Sequence, residues 1–225
     1  MERKRHKVIG VGLPKTGTKT LVSYLEDWGY RNRSYDAIAF GKYREGRIEE
    51  LLNELEEWDS VEDWPWPLMY KELSGRYPDA KFILTQRKSP EIWYRSYCQM
   101  AVRMGPFKIF EKYIYGYSMP HGRKEEHIDF YKKFQKEVLD FFQATGQDFL
   151  VICWENGDTG EKLARFLGEE IPIERQRHEN RGLPVYDGEN LYLAHIHRVI
   201  FQTKWYTTLW LKKVKRGIKK VIRSL

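Results

Sequence analysis

Short apolar runs alternate along the 225-residue chain with longer stretches of helical periodicity. Strands are predicted at residues 7–12, about 60–62, 81–86 and 148–153, because short apolar runs bounded by turn residues are typical of buried strands. After the last run, Leu163, Phe166 and Leu167 share one face of a predicted helix. The alternation predicts an α/β fold: a three-layer parallel sheet flanked by helices, with ligands at the carboxyl ends of the strands.

The first predicted strand leads into a loop rich in Gly, Lys and Thr. Residues 8–21 read VIGVGLPKTGTKTL, and a helix is predicted to open near Thr18. The N–H groups of such a loop converge at a helix N-terminus, where the dipole favours a negative charge, usually a phosphate. Gly12 and Gly17 have the spacing of the nucleotide-triphosphate loop GxxxxGK(S/T), but Thr18 stands at the lysine position and Lys15 lies inside the loop.

The run PKTGT at 14–18, followed by a helix, resembles the 5′-phosphosulfate loop of the sulfotransferases that use 3′-phosphoadenosine 5′-phosphosulfate (PAPS). The resemblance implies that Lys15 contacts the phosphosulfate. It also implies a set of residues that hold the 5′-phosphate: Thr16, Gly17, Thr18, Lys19 and Thr20. The alternatives are another kind of phosphate cradle or a plain turn before a helix.

A second segment, AKFILTQRKSPEIWYRS at 80–96, resembles the 3′-phosphate segment of the same family. In that family an arginine ends the strand and a serine lies on the next helix, which implies roles for Arg87 and Ser96. The helix is predicted to start at Pro90. Ser96 follows Arg87 by nine residues and Lys88 by eight, the usual spacing, so both basic residues are candidates. The alternative is a solvated basic turn with a capping serine.

Two later segments extend the resemblance to roughly residues 7–183. Residues 148–172 contain WE and FLG, similar to a late sulfotransferase segment that places an aromatic residue near the adenine, here Trp154. A core tryptophan that closes the sheet is the alternative. The run IPIERQRHENRG at 171–182 resembles the P…HxN loop of a compact branch, and Arg181 is included among the implied cofactor contacts. The resemblance implies a P-loop NTPase-like sulfotransferase fold.

The resemblance also implies in-line transfer of a sulfuryl group from PAPS to a hydroxyl or amine, with no metal required. Lys15 would stabilise the leaving phosphate, and a base would take the acceptor proton. Other sulfotransferases place a His or Glu at a strand end before x-Pro, and the matching residue in SVEDWPWP is Asp63. Its aromatic surroundings would raise its pKa, or Asp63 caps a helix at 66–75. The other candidates for the base are His121, His127 and His178.

Composition fits one soluble α/β domain at 1–188 and a basic amphipathic helical extension at 189–225. Cys98 and Cys153 are interpreted as structural, which suggests a reducing compartment and no metal cage. We find no apolar signal segment and no run that could span a membrane, which predicts a cytoplasmic protein.

The net charge of +7 comes from the extension. From Asn190 onward there is no acidic residue, whereas the rest of the chain has 30 Lys and Arg against 32 Asp and Glu. The extension carries nine basic residues: Arg198, Lys204, Lys212, Lys213, Lys215, Arg216, Lys219, Lys220 and Arg223. An apolar stripe at helical spacing is formed by Val214, Ile218, Val221, Ile222 and Leu225. Such a helix can contact an anionic inner membrane surface, with Trp205 and Trp210 at the interface, or pack its stripe on the domain.

Residues 104–135 join the two cofactor segments and are the candidate acceptor-binding segment. Their aromatic residues could line a pocket or pack between helices. These residues are Phe107, Phe110, Tyr113, Tyr115 and Tyr117. The expected acceptor is a small molecule, a carbohydrate or a lipid-linked compound. Two other classes stay open, a nucleotide or small-molecule kinase of similar fold and a non-catalytic module that binds membranes. No nucleic-acid partner is expected, because no recognition motif accompanies the charge.

Overall fold

The structure is a computed structural model that describes residues 6–105, 109–171, 186 and 188–222, except the side chains of 109 and 209–222. The strands are β1 (Val8–Gly10), β2 (Asn32–Arg33), β3 (Ser60–Val61), β4 (Lys81–Thr85) and β5 (Phe149–Ile152). The α-helices are α1 (Thr18–Asp27), α2 (Ala37–Arg44), α3 (Ile48–Glu54), α4 (Tyr70–Arg76), α5 (Pro90–Met104), α6 (Ile109–Tyr115), α7 (Lys124–Thr145), α8 (Gly160–Leu167) and α9 (Leu191–Ile222). Short 3-10 helices cover Leu55–Glu57, Trp66–Met69 and Trp154–Asn156.

The chain divides into two compact units, residues 1–93 with 128–181 and residues 94–127 with 182–225. This division joins an internal segment to the last part of the chain. The linear division at residue 188 stays a prediction. None of the described helices has the length and hydrophobicity needed to cross a bilayer.

In the first unit, the five strands form one parallel sheet in the order β2-β3-β1-β4-β5. Both faces are covered by helices. Ile83 packs with Leu21 of α1 and Leu163 of α8, whereas Phe82, the next residue along β4, packs on Phe142 of α7 at 4.6 Å between ring centroids. Because successive strand residues face opposite sides of a sheet, this arrangement confirms the predicted three-layer α/β fold.

Strand β2 was not predicted. It is an edge strand of two half-buried polar residues, Asn32 and Arg33, so it has no apolar run to reveal it. The backbone holds it instead: the N–H groups of Asp59 and Ser60 donate to the Arg31 carbonyl at 3.0 and 3.1 Å.

The predicted single helix at 66–75 was wrong in form. It is a 3-10 helix, Trp66–Met69, followed by α4, which begins at Tyr70. The Leu68 N–H donates to the Pro65 carbonyl, the tighter 3-10 pattern, at 2.9 Å.

The second unit includes the later turns of α5, helix α6, the start of α7 and helix α9. Its apolar cluster joins Ala101 and Val102 of α5 to Met119 and to Ala194 of α9, with Tyr186 against it. Cys98 is buried in this unit and Cys153 in the first, and both are free thiols, consistent with the structural role predicted for them.

Candidate active site

The candidate site lies in the first unit, where the order of the parallel sheet reverses. Strand β1 lies between β3 and β4, and the chain passes from β1 to one side of the sheet before it returns to the other. In open α/β sheets, ligands bind in the crevice at such a switch point, outside the carboxyl ends of the strands. Residues 11–17, the predicted anion loop, follow β1 at this point.

The loop has the backbone geometry of an anion cradle. Lys15 and Gly17 adopt left-handed conformations, with φ of 74° and 99°. The N–H groups of Thr20 and Leu21 donate to the Gly17 carbonyl, so the hydrogen bonds of α1 begin there. The N–H groups of Thr18 and Lys19 precede them, and donors at this position in a helix have no acceptor within the helix. They are therefore available for an anion.

Three side chains hold the loop in shape. The buried Thr16 hydroxyl donates to the Leu13 carbonyl at 2.6 Å and lies 2.7 Å from the Thr85 hydroxyl at the end of β4. The indole N–H of Trp93 donates to the Pro14 carbonyl at 2.9 Å, and that of Trp154 donates to the Gly17 carbonyl at 3.2 Å. These hydrogen bonds to other parts of the first unit hold the loop in this shape.

The two loop glycines fill positions where a side chain does not fit. A Cβ at Gly12 would lie 2.0 Å from Thr85 Oγ1 and 2.7 Å from its carbonyl oxygen. A Cβ at Gly17 would lie 2.4 Å from Trp154 Cδ1. Both distances are far below van der Waals contact, so the spacing that suggested a phosphate loop reflects close packing around it.

Arg87 follows β4 and is held by a carboxylate. Its Nη2 lies 2.7 Å from Glu155 Oε1, while the Lys88 backbone N–H donates to Glu155 Oε2 at 2.9 Å. The Arg87 N–H donates to the Tyr131 hydroxyl at 3.0 Å, and its buried Nε has no hydrogen-bond partner among the described residues. A carboxylate thus occupies a guanidinium and a backbone N–H that would also suit a phosphate. The Lys88 side chain is exposed.

Trp154 packs against the loop at Gly17. Besides its bond to Gly17, its ring stacks on Tyr24 of α1 at 5.9 Å between centroids. Its predicted place near an adenine stays a prediction. Ser96 lies further along α5, in the second unit, and its role stays a prediction. Arg181 lies outside the described residues.

Two adjacent carboxylates follow β3. Glu62 is only 1% exposed, and it accepts a hydrogen bond from the Ser34 hydroxyl. A Cβ on Gly10 of β1 would lie 2.9 Å from Glu62 Cβ, so the Glu62 side chain starts directly beside the central strand. Burial raises the pKa of Glu62 to about 7, the negative charge of Asp63 adds to the rise, and the hydrogen bond from Ser34 opposes it.

Asp63 is half-buried and has a left-handed backbone, with φ of 64°. Its Oδ1 accepts the N–H of Trp64, the next residue, at 2.7 Å. The N-cap position of the following 3-10 helix is Pro65, and that helix has no side-chain cap. The helix-cap alternative for Asp63 is therefore wrong. Trp64 and Trp66 are both fully buried beside it, as expected.

Two of the three candidate histidines, His121 and His127, are buried within the second unit. His127 is fully buried in the second unit, where the Tyr117 hydroxyl contacts its Nδ1 at 2.8 Å. Burial lowers its pKa to about 3 and that of His121, also buried, to about 4. His178 lies outside the described residues.

Two aromatic residues of the 104–135 segment, Tyr115 and Tyr117, pack around His127 together with Tyr97 of α5. The Tyr97 ring lies 4.7 Å from the imidazole, and the rings of Tyr115 and Tyr117 lie at 4.4 and 5.7 Å. For these residues the structure agrees with the packing alternative. Phe110 is buried and Tyr113 is exposed, while Phe107 lies outside the described residues.

Sequence comparison gives the class of protein that carries this loop. The profile of the sulfotransferase domain family matches residues 7–182, so the chain belongs to that family. It is also similar to Ava biosynthesis cluster protein M from Aspergillus versicolor, with 33% identity over 110 residues. This match covers 40% of the chain and 41% of that protein, so the chain spans less than half of its relative.

The sequence-based reasoning missed two residues at this edge of the sheet. Glu62 is the residue next to Asp63, the proposed base. Which of these two carboxylates points into the fold depends on the register of β3, which the sequence does not show. Its position after the buried pair Ser60 and Val61 was the available signal. Glu155 meets Arg87 only because the ends of β4 and β5 are adjacent in the sheet, a contact that no local pattern shows.

Proposed function

We propose that this protein is a PAPS-dependent sulfotransferase that moves a sulfuryl group to a hydroxyl or amine acceptor. The observation that carries the proposal is the loop at residues 12–18. It combines helix N–H donors with a lysine, Lys15, held in a left-handed conformation at the switch point of the sheet. The family match over residues 7–182 supports it and favours it over the kinase and the non-catalytic module.

The loop residues fit the 5′ end of the donor nucleotide. PAPS, when bound, supplies an activated sulfuryl group on a phosphate leaving group. The N–H groups of Thr18 and Lys19 are placed to bind that phosphate. Lys15 would stabilise the charge that grows on the leaving oxygen, which accelerates transfer more than it strengthens binding. The Thr16 hydroxyl already bonds within the loop, so its contribution is mainly to hold the cradle.

At the 3′ end, we assign the phosphate contact to Arg87 rather than Lys88. Arg87 is half-buried, and its Nε has no partner among the described residues, whereas the Lys88 side chain is exposed. The Lys88 backbone N–H is a second donor beside the guanidinium. Ser96, Trp154 and Arg181 remain candidate nucleotide contacts on the basis of the family resemblance.

The base is assigned to Asp63, with Glu62 as its positioning neighbour. Asp63 is partly accessible, whereas Glu62 is nearly inaccessible. Burial and the negative charge of Asp63 raise the pKa of Glu62 to about 7, so Glu62 holds a proton below that pH. Asp63 is then the member of the pair that is accessible and placed to take the acceptor proton.

The acceptor is proposed to be a small molecule. The name of the similar Aspergillus versicolor protein refers to a biosynthesis cluster, which favours a small metabolite over the carbohydrate and lipid-linked alternatives. Its identity can be found by a screen in which labelled PAPS is offered with a panel of hydroxyl and amine compounds.

The test of the proposal uses the acceptor that this screen identifies. Asp63→Asn removes proton acceptance with little change in size, and we expect catalysis to fall roughly 10²- to 10⁴-fold with PAPS affinity retained. The acidic limb of the pH–rate profile should disappear. Asp79→Asn, at an exposed position of the same unit, is the matched control. A wild-type rate and pH profile for Asp63→Asn would refute the assignment of the base.

Lys15→Ala tests the proposed leaving-group role separately. Turnover should fall by about 10²-fold or more, with a much smaller loss of nucleotide affinity. Lys71→Ala, at an exposed site on α4, controls for the loss of one positive charge. If the wild-type protein transfers no label from PAPS to any compound in the screen, that result would count against the enzyme activity itself.

A further inference from the structure

The first turns of helix α9 pack on other residues of the second unit. Ala194 is buried against Ala101 and Val102 of α5. Arg198 and Gln202 continue the same face and lie beside Gly105, where a Cβ would be 3.3 Å from Arg198 Cδ and 3.4 Å from Gln202 Nε2. The helix continues for twenty residues after Gln202, to Ile222, which is about 30 Å at the rise of an α-helix.

Beyond Gln202, every side chain that the structure describes is exposed, from Thr203 to Thr208. Trp205 and Tyr206 are 55% and 69% exposed. Isolated apolar residues on a surface are ordinary, but a tryptophan and a tyrosine side by side on an uncovered helix are the type of residue that prefers the boundary between water and lipid.

The threonine hydroxyls of this stretch form hydrogen bonds with the backbone of α9 itself. The hydroxyls of Thr203, Thr207 and Thr208 donate to carbonyls four residues earlier, each at 2.8 Å. Hydroxyls that are satisfied within the helix no longer need water as an acceptor. The exposed surface around Trp205 and Tyr206 is therefore less polar than the residue names suggest.

The charge of the segment points to one occupant. Nine Lys and Arg and no acidic residue occur from Asn190 onward, and seven of the nine follow the aromatic stretch, between Lys212 and Arg223. A second copy of α9 would bring like charges together. A nucleic acid would satisfy the charge but not the exposed aromatic pair Trp205 and Tyr206. An anionic lipid surface satisfies both.

We propose that α9 from Thr203 onward binds the surface of a membrane that contains anionic lipid, with Trp205 and Tyr206 at the headgroup level and the basic residues among the acidic headgroups. The proposal does not rest on the sulfotransferase activity, because its residues belong to the second unit and none of them is assigned to the candidate active site.

The test is flotation of the full chain with phosphatidylcholine vesicles, with and without about 30% phosphatidylserine. The wild-type protein should float only with the anionic vesicles, and raised salt should weaken the association because it screens the charges. One variant combines Trp205→Ser with Tyr206→Ser. A second replaces four basic residues by Gln: Lys212, Lys213, Lys215 and Arg216. Each should bind at least about tenfold more weakly.

The matched control replaces four exposed basic residues of the first unit by Gln: Lys132, Lys133, Lys136 and Arg165. It removes the same charge from the molecule and should float like the wild-type protein. Circular dichroism on each variant checks that the fold is retained.

Several results would overturn the proposal. These are no flotation with anionic vesicles at low salt, equal flotation with neutral vesicles, and an equal loss in the control variant. Retention on heparin or DNA without flotation would instead identify an acidic polymer as the partner. A dimer that forms without lipid and is lost in the Trp205 and Tyr206 variant, again without flotation, would identify a second copy of the chain.

Discussion

Lys15 and Asp63 share a left-handed backbone, with φ of 74° and 64°, and no other non-glycine residue in the described part of the chain has a positive φ. They follow β1 and β3, which are neighbours in the sheet. Such a conformation costs about 1–3 kcal/mol per residue and concentrates at functional sites. The two residues assigned to charge stabilisation and proton removal are thus the two places where the backbone carries this cost.

We predict that Lys15→Gly folds more stably than Lys15→Ala. Glycine adopts a positive φ without strain, which recovers about 1–3 kcal/mol, less about 0.5–1 kcal/mol for its greater freedom in the unfolded chain. Both variants lose the amino group and should lose turnover. Urea denaturation compares the two, and equal stability would show that Lys15 is not strained.

We predict that the free energy of unfolding depends on pH through Glu62. Because burial raises its pKa from 4.5 to about 7 in the folded state, the folded protein keeps a proton that the unfolded chain loses. The stability contributed by this group is complete below pH 4.5 and falls as the pH rises to about 7. Glu62→Gln should remove this dependence, worth up to about 3 kcal/mol.

Denaturation at pH 4.5 and pH 8 measures the effect. Glu62→Gln should be more stable than wild type at pH 8 and should differ little from it at pH 4.5. Glu125→Gln, at an exposed position on α7, should follow the wild-type curve. The same pH dependence in Glu62→Gln and wild type would refute the raised pKa.

Glu155→Gln should strengthen the binding of nucleotides that have a 3′-phosphate. The Glu155 carboxylate pairs with Arg87 at 2.7 Å, so a phosphate must compete with it for the guanidinium. Loss of that competitor should raise the affinity for adenosine 3′,5′-bisphosphate by about threefold to tenfold. The affinity for adenosine 5′-monophosphate should not change. Weaker binding of the bisphosphate would mean that Glu155 orients Arg87 for the ligand.

Gly12→Ala should be strongly destabilising, in contrast to Gly41→Ala. A methyl group at Gly12 would meet both the side chain and the carbonyl of Thr85, whereas nothing lies within 4 Å of one at Gly41 on α2. We expect Gly12→Ala to cost more than about 2 kcal/mol. Gly41→Ala should gain about 0.5–1 kcal/mol from helix propensity. Thermal unfolding separates the two variants.

Most of the sheet could be predicted because its strands are short buried apolar runs. Strands β1, β3, β4 and β5 all lie within the predicted stretches, and α1 and α5 begin at Thr18 and Pro90 as expected. Strand β2 was missed because an edge strand held mainly by backbone bonds needs no apolar side chains. The break at Tyr70 was missed because apolar periodicity does not distinguish a 3-10 turn from an α-helix.

The candidate site could be predicted where a single loop builds it, and not where several strand ends meet. The anion loop is continuous from Gly12 to Thr18, so its spacing revealed it. The partners of Asp63 and Arg87 are set by strand register and by contacts between distant residues. Glu62 and Glu155 became visible only when β3 lay beside β1 and β5 beside β4.

The central claim is that this site binds a nucleotide with phosphates at both the 5′ and 3′ positions. Isothermal titration of the wild-type protein with adenosine 3′,5′-bisphosphate, in buffer without magnesium, tests it most directly. We predict saturable binding that is at least about tenfold tighter than that of adenosine 5′-monophosphate and is weakened by Arg87→Gln. Equal binding of the two nucleotides, or binding only of ATP with magnesium, would contradict the account.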